Sequence, residues 1–163
     1  MTRGGKLTTL YSFCSQSRCP DGEYPEGALV QAADGNLYGT TLYGGANAGP
    51  YGLGGGTVFK ITPSGALTTL YSFCSQSACA DGFSPVAGLV QATDGDFYGT
   101  ASGGGVADAV GTVFKITPNG TLTTLHRFCS ESQCADGRGP AGALVQATNG
   151  DLYGTSILSF DHK

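Results

Sequence analysis

The stretch LTTLYSF at residues 7–13 returns unchanged at 67–73 and as LTTLHRF at 122–128. It does not return alone. EGALVQAADGNLYGT (26–40) recurs as VAGLVQATDGDFYGT (86–100) and AGALVQATNGDLYGT (141–155), and GTVFKITPSG (56–65) recurs as GTVFKITPNG (111–120). A chain that repeats itself at this period folds by stacking one supersecondary unit on the next, because a single unit cannot bury its own apolar face. The offsets are 60 and then 55 residues, and the difference lies wholly between Thr40 and Gly56 as against Thr100 and Gly111. The unit is therefore fixed, and one loop varies.

Each unit holds four short runs rich in Val, Leu, Thr, Tyr and Phe, bounded by turn residues, and no stretch sustains a helical period. In the first unit these are strands A (28–32), B (36–40), C (57–62) and D (67–73). Asp34-Gly35, Asp94-Gly95 and Asn149-Gly150 predict type I′ hairpin turns between A and B. Pro63-Ser64-Gly65 and Pro118-Asn119-Gly120 predict tight turns between C and D. Four antiparallel strands in fifty-odd residues read as one blade of a β-propeller. Slim Ala and Val on strand A suit the crowded axis. Phe59, Ile61, Leu70, Tyr71 and Phe73 suit the wider periphery. Gly39, Gly99 and Gly154 in strand B mark places where a neighbouring backbone would come close.

The expected fold is all-β, a single repeat domain over 1–163. It comprises a lone outer strand at 6–13, one full blade at 28–73, a second at 88–128, and the inner part of a split third at 143–160. In the split blade Ile157–Phe160 would supply a poor strand C. Two blades and a split third do not close a propeller, and an open array leaves sticky edges. Completion by oligomerisation is the expected repair, with the lone strand of one copy finishing the split blade of another. A closed dimer of six blades is preferred, a filament is the open form of the same exchange, and a longer repeat gene is the third option.

Composition excludes some classes. Eight Lys and Arg against twelve Asp and Glu give a net charge of −4, which does not suit a general nucleic-acid binder. No apolar run approaches the roughly 18 residues of a membrane span. The opening MTRGGKLTTL lacks the apolar core of a signal peptide, so the chain reads either as cytosolic or as a mature or trimmed segment.

The assembled motif, DGNLYGTT followed by a Gly-rich segment and GTVFKITPSG.LTTLYSF, resembles the GloVer-type tandem repeat of bacterial proteins over residues 5–156. That resemblance implies a propeller-like architecture and a secreted or cell-surface setting. It implies no catalytic residues. The chain departs from the pattern in being short and in showing no anchoring segment.

Between D and the next A each unit carries a two-cysteine clip, CSQSRC (14–19), CSQSAC (74–79) and CSESQC (129–134). Three readings compete. A local disulfide within each unit (Cys14–Cys19, Cys74–Cys79, Cys129–Cys134) is favoured because the pair recurs intact and four intervening residues can reach bridging geometry. A zinc site would find only half its ligands in any one unit. Buried reduced thiols are the third reading.

In an antiparallel meander the short A–B and C–D turns share one face, and the long B–C and D–A connections share the other. Binding on a rigid scaffold belongs to the long loops. Glu23-Tyr24, Phe83-Ser84 and Arg138-Gly139, with Tyr43, Asn47, Tyr51 and Asp108, are the candidate ligand contacts there, set against ordinary loop chemistry. Asp21, Asp81 and Asp136 fall at one repeated point before strand A. They read either as an axial carboxylate ring able to hold Ca²⁺ or as turn-forming Asp-Gly pairs. Apart from that possible ion no cofactor is expected. His126 and His162 have no repeated nucleophile or carboxylate partner that would make a triad.

The functional expectation is a non-catalytic secreted or surface propeller module for binding or assembly. A glycan or other surface ligand is a candidate partner. The alternatives are a hydrolase or lactonase-like enzyme with an axial metal, and a structural subunit that forms filaments by strand exchange.

Overall fold

The computed structural model describes residues 3–105 and 110–158. Two four-stranded antiparallel sheets dominate it. The first runs in the order β1 (Val30–Gln31), β2 (Leu37–Thr41), β3 (Thr57–Ile61) and β4 (Leu67–Ser72). The second repeats it with β5 (Val90–Gln91), β6 (Phe97–Ala101), β7 (Thr112–Ile116) and β8 (Leu122–Arg127). Among the described residues the helical content is three short 3-10 turns, at Pro50–Gly52, Ser77–Cys79 and Ser132–Cys134. These are propeller-type blades, and the order of strands within each is the one the repeat predicts.

The C–D turns are tight, as expected, but the A–B turns differ in type. Ala32 N–H bonds to the Asn36 carbonyl and Gly35 N–H to the Ala32 carbonyl, both at 2.9 Å. Gly35 has φ 80°, while Asp34 is not in the left-handed region. This is a three-residue loop, a type I turn closed by a left-handed glycine, and not the two-residue I′ turn. The same pair of bonds recurs at Ala92–Asp96, Thr62–Ala66, Thr117–Thr121 and Ala147–Asp151. The Asp-Gly signal is common to both turn types, and only the pairing of Ala32 with Asn36 separates them. Asp34 accepts from the Asn36 N–H and from the Tyr38 hydroxyl. Burial first, and then the Asp34 contact, push Tyr38 up to about 12.

Each blade bends at one point. β4 carries an extra residue opposite Val58/Phe59, and β8 carries one opposite Val113/Phe114. The strand-B glycines face side chains and not a neighbouring backbone. A Cβ on Gly39 would stand 2.7 Å from the Phe59 ring and 2.8 Å from Leu29, and Gly99 meets Phe114 and Leu89 in the same way.

The core lies between blades. Tyr38 stacks on Phe97 with ring centroids 4.1 Å apart, and Phe73 meets Phe114 edge-on at 5.2 Å. Val58, Leu89, Ala101 and Ile116 fill the remaining space. Fully burying rings such as Phe97 and Phe114 contributes roughly 2–3 kcal/mol each.

The ends of the array depart from the expected strands. Residues 6–13, expected as the outer strand that completes the split blade of another copy, have no ladder partner among the described residues of this chain. A strand D pairs only with a strand C, and among the described residues none lies beside this segment. Its side chains nevertheless take strand-D positions. Phe13 meets Phe59 at 4.9 Å, matching the Phe73–Phe114 contact. A Cβ on Gly65 would stand 2.6 Å from the Leu10 carbonyl oxygen, as one on Gly120 would stand 2.5 Å from that of Leu70.

At the other end β10 (Val145–Gln146) and β11 (Leu152–Tyr153) form the inner A–B hairpin. Residues 157–158 do not fold back as strand C. β12 (Ser156–Leu158) continues the line of strand B and pairs with β9 (Arg138–Pro140), repeating the bridges Glu23–Tyr43 and Phe83–Gly103. Residues 159–160 of the expected strand lie outside the described residues.

Candidate functional site

The D–A connections are built on left-handed backbone at residues other than glycine. In the first clip Cys14, Arg18 and Cys19 have φ of 58°, 67° and 44°. Cys74, Ala78 and Cys79 repeat the pattern, as do Cys129, Gln133 and Cys134. Such conformations cost free energy in a residue with a Cβ and persist only where the surroundings enforce them. Here the enforcement is covalent. Cys14–Cys19, Cys74–Cys79 and Cys129–Cys134 are disulfides, and no described cysteine is free.

What the clip holds is a carbonyl. The Cys19 oxygen accepts from the N–H groups of Gly22 and Gly45, both at 2.9 Å. The Cys79 oxygen accepts from Gly82 at 2.9 Å and Gly105 at 3.0 Å. The disulfide therefore fixes the point at which the D–A connection grips the Gly-rich B–C loop. Gly44 must be glycine there: it has φ 78°, and a Cβ would fall 2.6 Å from the Cys19 oxygen.

The three repeated aspartates serve the same connection. Asp81 is fully buried and accepts from the Tyr71 hydroxyl at 2.8 Å, the Ser75 N–H at 3.0 Å and the Gln76 N–H at 3.2 Å. Asp21 accepts from the Tyr11 hydroxyl at 2.8 Å and from the Cys14 N–H. Asp136 takes the Ser130 hydroxyl at 2.8 Å and N–H at 3.0 Å, and stands 3.2 Å from His126 Nε2. His126 thus occupies the place of the tyrosine. Each carboxylate binds donors of its own D–A connection, which is the geometry of a loop cap. Burial opposes the charge on Asp136, but the Ser130 hydroxyl and the Ser130 and Glu131 N–H groups outweigh it and hold the carboxyl at about 2. At Tyr71, burial and then the Asp81 bond, working against the Ser75 contact, drive the hydroxyl up to about 12.

Sequence reasoning did not join these tyrosines to these aspartates. A signal was present: in all three units a Tyr or His precedes the Asp by ten residues.

Between the first clip and the long B–C loop lies a cleft of about 630 Å³. Arg18, Cys19, Pro20 and Glu23 form one wall, and Ala46, Asn47, Ala48 and Leu53 form the other. Of the expected ligand contacts among the described residues, Glu23 and Asn47 line it. Asn47 also anchors its loop. Its amide nitrogen donates to the Ser72 and Phe73 carbonyls, which holds the loop against strand D. Tyr24 and Tyr43 meet edge-on at 6.0 Å beside Glu23, and Tyr24 is exposed. Phe83 lies across Gly103, and Arg138 begins β9, so these two occupy the Glu23 position in the later units. Asp108 and the Tyr51 side chain lie outside the described residues. Arg18 and Leu53 were not singled out from the sequence. Cys14, Cys19 and Glu23 come close enough together to suggest a metal, but both sulfurs are already joined to each other.

The chain belongs to the Gloeobacter/Verrucomicrobia repeat family, which it matches over residues 1–162. No curated protein matches it. Among solved structures it is similar to a provisionally named gluconolactonase, at 19% identity with a TM-score of 0.45. The match covers 78% of this chain and 40% of that protein, and so distant a likeness carries nothing about chemistry.

Proposed function

We propose that the protein is a non-catalytic module, secreted or displayed at the cell surface, that binds a small polar ligand in the cleft beside its first clip. One observation carries this reading. The residues that hold the scaffold recur in every unit, whereas the two charged residues of the cleft wall do not. Arg18 is replaced by Ala78 and Gln133, and Glu23 by Phe83 and Arg138. The loop bearing Asn47 and Leu53 is also the one that is five residues longer. A position that differs among otherwise matched units is released from the shared structural task.

The wall chemistry suits a hydroxyl-rich ligand such as a glycan terminus. Arg18 and Glu23 offer donors and acceptors, and Leu53 with the alanines offers a small apolar floor. Three disulfides fit an oxidising compartment, and among the described residues no helix is long and apolar enough to cross a membrane.

A glycan array followed by titration of the best ligand tests the proposal. Arg18→Ala and Glu23→Ala should each weaken binding about tenfold or more, and Arg138→Ala should not. Silence on the array, or binding indifferent to both cleft variants, overturns it. The enzyme alternative requires an axial ion, and Asp21, Asp81 and Asp136 would have to exchange their present donors for it. We therefore set it second.

A further inference from the structure

The two junctions inside the chain are made by the same contacts. At the first, the Thr40 hydroxyl donates to the Ala87 carbonyl at 2.9 Å, and the Ala33 N–H donates to Gln91 Oε1 at 3.1 Å. At the second, Thr100 donates to the Gly142 carbonyl at 3.2 Å, and the Thr93 N–H donates to Gln146 Oε1 at 3.0 Å. The repeat supplies a third set. One step forward the donors are Thr155 and the Thr148 N–H. One step back the acceptors are the Gly27 carbonyl and Gln31. The two halves stand at opposite ends of the array, with Thr148, Thr155 and Gln31 all exposed.

The apolar surfaces match in the same way. Tyr38, which covers Phe97 at the first junction, is 1% exposed, whereas its counterpart Tyr153 is 56% exposed. Val145, the counterpart of the half-buried Val30, is 62% exposed. On the receiving side a groove of about 310 Å³ runs between Leu29, Phe59 and Ile61 of the first blade and Leu10 and Phe13 of the opening segment. In the second blade the space before Leu89, Phe114 and Ile116 is filled by the blade that precedes it.

We infer that a second copy of this chain docks its β10–β11 hairpin on the exposed face of the first blade and so repeats the internal junction. Tyr153 of one copy then covers Leu37 of the other. The Thr155 hydroxyl donates to the Gly27 carbonyl, and the Thr148 N–H donates to Gln31. Residues 6–13 of the receiving copy form the outer side of the shared unit. The contact is head-to-tail, so it either closes into a ring or continues as a fibre.

Analytical ultracentrifugation of the whole chain tests this. The wild-type protein should sediment as a dimer or larger species. Tyr153→Glu and Leu37→Lys should each weaken association roughly 30-fold or more, as loss of a buried aromatic anchor does. Leu53→Asp, in the cleft and away from the junction, should leave association unchanged. Mixing the Tyr153→Glu and Leu37→Lys proteins should restore it, because one junction is then native and the other pairs Glu with Lys. Far-UV circular dichroism and a non-reduced mass check that each variant is folded with its disulfides intact. Rings and fibres in the electron microscope both support the inference. A wild-type monomer at roughly 100 µM, where even a micromolar interface is occupied, overturns it, as does Tyr153→Glu that still associates fully.

Discussion

Leu29 and Leu89 hold the same position in successive blades, follow the same turn and precede the same Val-Gln pair. Leu29 is 53% exposed and Leu89 is 7% exposed. Their neighbours differ, Glu26-Gly27-Ala28 against Val86-Ala87-Gly88, but the two residues immediately before each leucine are small in both. Leu89 has a whole blade before it, and Leu29 has only the opening segment. In a stacked array burial belongs to the junction and not to the residue, so one side chain stabilises in one place and is idle in another.

The sharpest way to break this comparison is to truncate both residues. Leu89→Ala should destabilise by about 3 kcal/mol in chemical denaturation of the monomeric Tyr153→Glu background, and Leu29→Ala by under about 1 kcal/mol. Equal losses would mean that the junction does not set the difference. In the associating wild-type chain the cost of Leu29→Ala should rise toward that of Leu89→Ala.

The clips extend the comparison to the loops. Replacing Cys74 and Cys79 together by Ala should cost about 2 kcal/mol, the loop-closure value for so short a ring. It should also raise hydrogen exchange at Gly105, whose N–H bonds to the Cys79 carbonyl. Unchanged exchange there would show that the loop is held without the disulfide.

A smaller effect separates Asp81 from Asp21. Asp81→Ala leaves buried donors unsatisfied and should cost roughly 1–3 kcal/mol. Asp21→Ala should cost less, since Asp21 is only half-buried. The measurement is the midpoint of thermal unfolding.

The smallest effect is on pH. Asp136 is held at about 2, below its ordinary value of 3.8. Its contribution is therefore fully present above about pH 4 and is lost as pH falls through about 2. Denaturant titrations at pH 5 and pH 2 should show a gap between wild type and Asp136→Asn that narrows in acid. A constant gap would refute the assignment.

Much of this was legible in the sequence. Strands A to D are bounded by turns on both sides and carry β-branched and aromatic residues, so local preference and the repeat agree. The clips were readable because each cysteine pair recurs as a pair. The turn type was not, because Asp34-Gly35 satisfies two hairpin loops and only the cross-strand partner decides. The ladder expected for residues 6–13 belongs to a junction between copies, because a strand is a relation between two segments and among the described residues no second segment lies beside this one. The bond from Tyr71 to Asp81 was hidden because the left-handed backbone of the clip between them turns the chain back, and no local pattern announces that turn. The cleft was hidden because its walls come from segments roughly thirty residues apart.

The bond from Thr40 to Ala87 and the bond from Thr100 to Gly142 are one bond written twice. A gene built this way can gain or lose a unit by unequal recombination without inventing a surface, because every new neighbour finds its seam already cut.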